Sequence, residues 1–243
     1  MSGHSKWKNI MHKKEKTDLQ RAKIFTKIGK EMTIAIREGG PDPASNSKLK
    51  DLITKAKSNN VPNDNIERII KKASGGDDTA NYETLNYEGY GPSGVAVIVE
   101  ATTDNRNRTG ADMRHYFDKF GGNLGQTGCV SYLFSDKGLI VIESEGIDEE
   151  KLMDDALMAG AEDILSEEGA FEIYTAPEDF SNVCEYLENA GYKFASAEQT
   201  KIPANYVALT EEDDITKMNR LLEMLEDNDD VMNVWHNWEN EEE

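Results

Sequence analysis

The sequence predicts an α+β protein: an N-terminal three-helix domain followed by two ferredoxin-like α+β domains, one inserted in the other. Three observations carry this. Apolar residues recur at a helical period up to about residue 75 and at a period near two beyond it. Residues 137–203 then run through a complete β-α-β-β-α-β order, which is the ferredoxin-like order. The segments on either side each supply a β-α-β half, and the C-terminal half, about 40 residues, is too short to bury a core alone. The expected division is therefore 1–76 as a basic helical domain with a flexible tail, 80–136 plus 204–243 as a discontinuous domain, and 137–203 as an inserted acidic domain.

From Lys16 to Glu38 the pattern is helical, with Phe25, Ile28, Met32, Ala35 and Ile36 on one face. Lys16, Lys23, Lys27, Lys30 and Arg37 fall within roughly 80° of one another on the opposite side. Leu19 and Ile34 share that side, so either another helix covers part of it or they touch a partner. Gly39-Gly40-Pro41 stops the helix, because glycine permits a left-handed cap and proline cannot extend the ladder. A second helix from Ser45 or Asn46 buries Leu49, Leu52, Ile53 and Ala56. A third from Asn63 buries Ile66, Ile69, Ile70 and Ala73 and breaks at Ser74-Gly75-Gly76. Gly75 to Ala80 reads as a linker.

Beyond the linker, Tyr82–Tyr90 adds a strand that reaches Val95 through the turn Gly91-Pro92-Ser93-Gly94. Val95–Ala101 is a strand, a helix opened by Asp104 runs to about Phe120, and Val130–Phe134 is expected as the next strand. The inserted unit reads as strands at 139–143, 162–165, 171–174 and 194–200 with helices at 149–158 and 177–189. Tyr206–Leu209, a helix from Glu211 to Leu225 and Val231–Trp235 close the chain as a further β-α-β.

Charge is segregated. The chain carries −20 overall, yet its first 37 residues hold ten Lys/Arg against three acids, and residues 1–75 sum to +9 while the remainder sums to −29. Basic arms and helix faces attract phosphates by Coulomb force and gain entropy by releasing condensed counterions. The expected nucleic-acid contacts are Lys6, Trp7, Lys8, Lys13, Lys14, Lys16, Lys23, Lys27, Lys30 and Arg37, with Arg106 and Arg108 at the start of a helix whose N–H groups also favour anions. Trp7 either stacks on a base or pins the tail to the helical domain. Arg106 and Arg108 either meet phosphate or pair with acids of the acidic body.

Catalytic chemistry is not expected. His4, His12, His115 and His236 have no HxxxH or HxH spacing, and Cys129 and Cys184 have no CxxC context and read as reduced, buried thiols. Asp/Glu pairs such as Asp154-Asp155 sit in first turns or on exposed helix faces, and no acidic run has the order of a calcium loop. Gly121-Gly122-Asn123-Leu124-Gly125 follows a helix, the reverse of a phosphate-binding context, and reads as a turn. Tyr87–Gly94 could stack on bases or serve only as a tight hairpin. No cofactor, metal or membrane partner is expected, and the absence of a signal or an 18-residue apolar run points to the cytoplasm.

These residues resemble the YebC/PmpR family across essentially the whole chain. The likeness lies in GHSKW (Gly3–Trp7), KIFTK (Lys23–Lys27), GGPDPASNSKL (Gly39–Leu49), DNIER (Asp64–Arg68), YEGYGPSG (Tyr87–Gly94), TDNRNRT (Thr103–Thr109) and GGNLG (Gly121–Gly125). Ser93 stands where the family usually has glycine. The resemblance implies three domains and a gene-expression role without catalysis. Members are described as probable transcriptional regulators that bind DNA, and mitochondrial relatives as translational activators. The family is also associated with the ribosome, where it relieves stalling at proline-rich stretches, so the implied partner is DNA or ribosomal or transfer RNA. The family's cytosolic form begins at the GHSKW element, as this chain does, with no room for a transit peptide. An acidic protein-interaction module is the expectation of another class.

Overall fold

The computed structural model describes residues 18–75 and 82–239, the first four of them by backbone alone. The expected basic tail and most of the linker lie outside the described residues. Three helices come first: α1 (Asp18–Gly39), α2 (Ser47–Ser58) and α3 (Asn63–Ser74). α1 ends where the glycines and proline predict, with Gly40 at φ +87 and its N–H on the Ile36 carbonyl. Asn46 then joins two helix ends. Its Oδ1 caps α2 by accepting from Leu49 N at 3.0 Å, while Nδ2 donates to the Ala35 and Gly40 carbonyls at 2.7 and 2.8 Å. A methyl group at Gly39 would meet Nδ2 of Asn46 at 2.7 Å, which is why that position is small. Ile28, Met32, Ala35, Leu49, Leu52, Ala56, Val61 and Ile66 form the helical core.

The remaining elements are β1 (Glu83–Tyr90), β2 (Ala96–Thr103), α4 (Arg106–Lys119), β3 (Asn123–Leu124), β4 (Phe134–Glu143), α5 (Glu149–Ala159), β5 (Asp163–Glu167), β6 (Ala170–Thr175), α6 (Phe180–Asn189), β7 (Ser196–Pro203), α7 (Glu212–Asp227) and β8 (Val231–His236). They build two four-stranded sheets, ordered β3-β1-β2-β8 and β5-β6-β4-β7. The second has the ferredoxin-like layout, with α5 and α6 over a core of Ile140, Ile142, Phe171, Ile173, Leu152, Phe180, Val183 and Leu187. The fold is α+β, as the sequence predicts. By contact the described chain forms two compact units, one of residues 82–135 with 201–239 and the other of 18–75 with 136–200.

In the first sheet, the buried Val95, Val97 and Val99 pack with Met113 and Phe117 of α4 and Met218, Leu221 and Leu225 of α7. Three local expectations are corrected here. Tyr206–Leu209 forms no strand beyond one isolated bridge, Val207 to Trp238. Its expected place is filled by β1, which pairs with β2 over eight residues, from Glu83 opposite Thr103 to Tyr90 opposite Ala96. A hairpin closed by the short turn at 91–95 forms a long ladder locally, and a four-residue segment does not compete with it. Val130–Phe134 is likewise not a strand but a 3-10 turn, Ser131–Leu133, leading into β4. The backbone N–H groups of Val130 and Ser131 are taken by the Glu88 carboxylate and are unavailable to a ladder. Finally, α4 is capped by Asn105, whose side chain accepts from Arg108 N, and not by Asp104.

Candidate nucleic-acid interface

Of the expected contacts, Lys6, Trp7, Lys8, Lys13, Lys14 and Lys16 lie outside the described residues. Lys23, Lys27 and Lys30 follow one another along α1 and are half-buried, and Arg37 is exposed in its last turn. Ile34, on the same side, is buried. Between this basic row and the packing face runs a strip of small residues, Ala22, Thr26, Gly29 and Thr33. The hydroxyls of Thr26 and Thr33 donate back to the Ala22 and Gly29 carbonyls at 3.0 and 2.8 Å, which keeps the strip low. α3 lies along it, and a methyl added at Gly29 would touch Ile69 Cδ1 at 3.4 Å.

The other cations of the helical segment divide into two groups. Lys48 pairs with Glu38 at 3.2 Å, Lys50 with Glu185 at 2.6 Å and Lys55 with Glu31 at 3.3 Å. Asp51 sits beside them, accepting from the Ser181 hydroxyl and, at 2.7 Å, from Gln199 Nε2. Burial pushes the Asp51 carboxyl up, and these hydrogen bonds only partly offset that. By contrast Lys57 of α2 is exposed and unpaired among the described residues, as are Arg68, Lys71 and Lys72 of α3, which make no ion pair or side-chain hydrogen bond there. None of the four was among the contacts expected from sequence, although the i, i+3, i+4 spacing of those on α3 is legible there.

In the other unit, the structure places Arg106 in the open and commits Arg108. The Arg108 guanidinium donates to Asp230 at 2.8 Å and Asp104 at 3.0 Å. Asp230, buried, also accepts from the Thr103 and Thr109 hydroxyls at 3.1 and 3.0 Å. Burial pushes the Asp230 carboxyl up, but Arg108 and the two hydroxyls outweigh it and hold the group below the usual aspartate range. Much of TDNRNRT is thus an internal brace joining the start of α4 to the chain before β8.

The glycine-rich elements interlock. A methyl at Gly122 would lie 2.5 Å from the Tyr90 carbonyl oxygen, and one at Gly89 would lie 2.5 Å from that of Asn123. The glycines of YEGYGPSG and GGNLG therefore let the two segments touch backbone to backbone. Ser93 adopts φ +50, the left-handed region where glycine is at ease, and its hydroxyl bonds the Asp214 carboxylate. Glu88, 4% exposed, accepts from the N–H groups of Gly128, Val130 and Ser131 at 2.8, 2.9 and 2.8 Å. The turn so anchored presents Tyr132, which is 73% exposed.

Burial pushes the thiols of Cys129 and Cys184 up, which makes both poor nucleophiles at neutral pH. Among the described residues no group of three or more His, Cys, Asp or Glu side chains could hold a metal ion. No helix among them is long and apolar enough to cross a membrane.

Comparison with known proteins matches residues 5–76 to the TACO1/YebC protein N-terminal domain and residues 82–238 to the TACO1/YebC second and third domain. A protein of Acetivibrio thermocellus named "Probable transcriptional regulatory protein" is 61% identical over 239 residues, 98% of this chain and 99% of its own. One of the same name from Caldicellulosiruptor bescii is 59% identical over 244 residues, covering 100% of both chains. The crystal structure of a conserved hypothetical protein from Aquifex aeolicus superposes with a TM-score of 0.80 at 46% identity, covering 92% of each chain.

Proposed function

The chain belongs to the TACO1/YebC family, and from that membership we propose that it is a non-enzymatic, cytoplasmic regulator of gene expression that acts by binding nucleic acid. One observation carries the reading: residues 1–75 sum to +9 in a chain of −20, with Lys23, Lys27, Lys30 and Arg37 in one row of α1. A row of that kind gains affinity from each phosphate it neutralises, through release of condensed counterions. The name of the relatives supports DNA as the partner and transcription as the process.

A second reading, RNA on the ribosome, is favoured by the polarity of α3. Its first turn carries Asp64, Arg68 stands at its middle, and Lys71 and Lys72 lie in its last turn. A helix that reads a DNA groove leads with its N-terminal residues. Crosslinking in cells followed by sequencing of the bound nucleic acid separates the two: promoter DNA supports transcription, ribosomal RNA supports translation. Recovery of neither, together with salt-independent association with a protein partner, would leave the acidic body as the working surface and refute both.

A further inference from the structure

We infer that the outward face of α5, with Met153, Leu157 and Met158 at one end and Glu149, Glu150 and Asp154 at the other, is a docking surface for a partner protein that presents an amphipathic, cationic helix. The surface lies on the inserted segment, and the inference is independent of the nucleic-acid reading above.

The first argument is clustering. Six large apolar side chains are exposed among the described residues, and three of them stand on the eleven residues of α5: Met153, Leu157 at 57% and Met158 at 76%. The other three are scattered, Tyr132 in a turn, Leu165 on β5 and Tyr186 on α6. Single exposed apolar residues are ordinary, whereas a group of them on one face marks an interaction surface. The core does not claim this group. α5 is anchored by Leu152 and Ala156, both fully buried, and at about 100° per residue the arc from Met153 to Met158 points away from them.

The second argument is shape. The face consists of two neighbouring i, i+4 ridges, Glu149-Met153-Leu157 and Glu150-Asp154-Met158. Each begins in acids and ends in an apolar side chain, so a second helix laid along the groove between them meets carboxylates at one end and apolar surface at the other. Methionine suits such a contact, because its unbranched side chain adapts to the partner's packing.

The third argument, from charge, selects the partner. Glu149, Glu150 and Asp154 are exposed and make no ion pair or side-chain hydrogen bond among the described residues, whereas Asp155 on the flank accepts from the Tyr192 hydroxyl at 2.8 Å. The only base of α5 is Lys151, and none stands in its last turn, so the partial negative charge of its carbonyl end is also unmatched. Phosphate backbones and anionic lipid headgroups are repelled by such a face, and lysines or arginines flanking an apolar stripe complement it. A second copy of the chain fits less well. It would join the apolar ends while leaving both acidic ends unmatched, and would set two segments of 17 acids and four bases against each other.

The test measures binding of the full chain to a fluorescein-labelled helical peptide of leucine and lysine in amphipathic order, by fluorescence anisotropy. A scrambled peptide of the same composition and a leucine–glutamate counterpart serve as controls. Leu157→Ser with Met158→Ser is expected to weaken binding by about tenfold or more, and Glu150→Gln with Asp154→Asn by about threefold with a flatter salt dependence. Leu157→Ala with Met158→Ala gives a smaller loss in the same direction and serves if the serines loosen the helix. Leu165→Ser, on β5, is expected to leave affinity unchanged. Wild-type affinity in both Leu157/Met158 variants overturns the surface, as does failure of the unaltered chain to bind the amphipathic peptide at about 100 μM. Equal binding of either control peptide overturns the partner chemistry. A concentration-dependent dimer in sedimentation that Leu157→Ser with Met158→Ser abolishes gives the face to a second copy and overturns the occupant.

Discussion

Replacing Glu88 with alanine tests the account of how the turn bearing Tyr132 is held. The Glu88 carboxylate is 4% exposed and is the acceptor for three backbone N–H groups, those of Gly128, Val130 and Ser131. The Val130 bond is buried, so losing its acceptor costs about 1–3 kcal/mol; the other two N–H groups are part-buried and recover water, at about 0.5–1.5 kcal/mol each. Glu88→Ala is therefore expected to destabilise its unit by about 2–6 kcal/mol. Glu88→Gln is expected to lose about half of that, because its single amide oxygen serves two donors and its NH₂ faces the third. The assay is urea denaturation at pH 7 with amide hydrogen exchange at the three positions. Burial pushes the Glu88 carboxyl up, but the three N–H groups outweigh it, so the folded group lies below its ordinary value of 4.5. Its contribution is complete above that value and is lost as pH falls through the lower folded one, so the wild-type advantage over Glu88→Gln shrinks in acid. An alanine variant within about 0.5 kcal/mol of wild type at pH 7, below any cost worked out above, would refute the reasoning.

Asp230→Asn is expected to destabilise by about 1–3 kcal/mol at pH 7. Because the folded Asp230 carboxyl is held below the usual 3.8, the difference should fade as pH drops through that lower value, which paired urea titrations would detect. Gly122→Ala should cost more than about 2 kcal/mol, since its methyl would sit 2.5 Å from a carbonyl oxygen. Gly128→Ala, at φ +91 with nothing within 4 Å, should cost only about 1–2 kcal/mol, and thermal melts of the pair measure the contrast. Ser93→Gly relieves a left-handed residue but gives up the bond to Asp214, so its net effect should stay within about 1 kcal/mol of zero. A double-mutant cycle with Asp214→Ala should show coupling only while Ser93 is present.

The three helices and the inserted unit were legible because their signals are local: amphipathic spacing, Gly-Gly-Pro and Asn-Asn stops, and apolar strands of five or six residues. What sequence missed depends on partners far along the chain. Val130 to Phe134 has strand composition, but the acceptor that withdraws its N–H groups is Glu88, some forty residues earlier. Tyr206–Leu209 has strand composition too, yet the ladder edge it would use belongs to β1. The cations followed the same pattern. A helical projection finds the row on α1, whereas which cations are already paired with carboxylates depends on Glu185 for Lys50 and on Asp230 for Arg108, neither of them near in sequence.

The acidity of the inserted segment gains a physical sense from those pairings. Residues 137–203 hold 17 acids and four bases, and α2 meets them through Lys50 and Glu185, the Ser181 hydroxyl and Gln199 on Asp51, and Glu198 at 4.0 Å from Lys55. Lys50 and Lys55 of α2 are thereby matched to carboxylates, whereas Lys57 of α2 and Arg68, Lys71 and Lys72 of α3 are exposed and make no ion pair among the described residues. A net charge of −20 is then compatible with binding a polyanion. At physiological ionic strength charges more than about 8 Å apart are largely screened, so a surface that met phosphate would draw its contact energy from the few cations within that distance and not from the net charge of the chain.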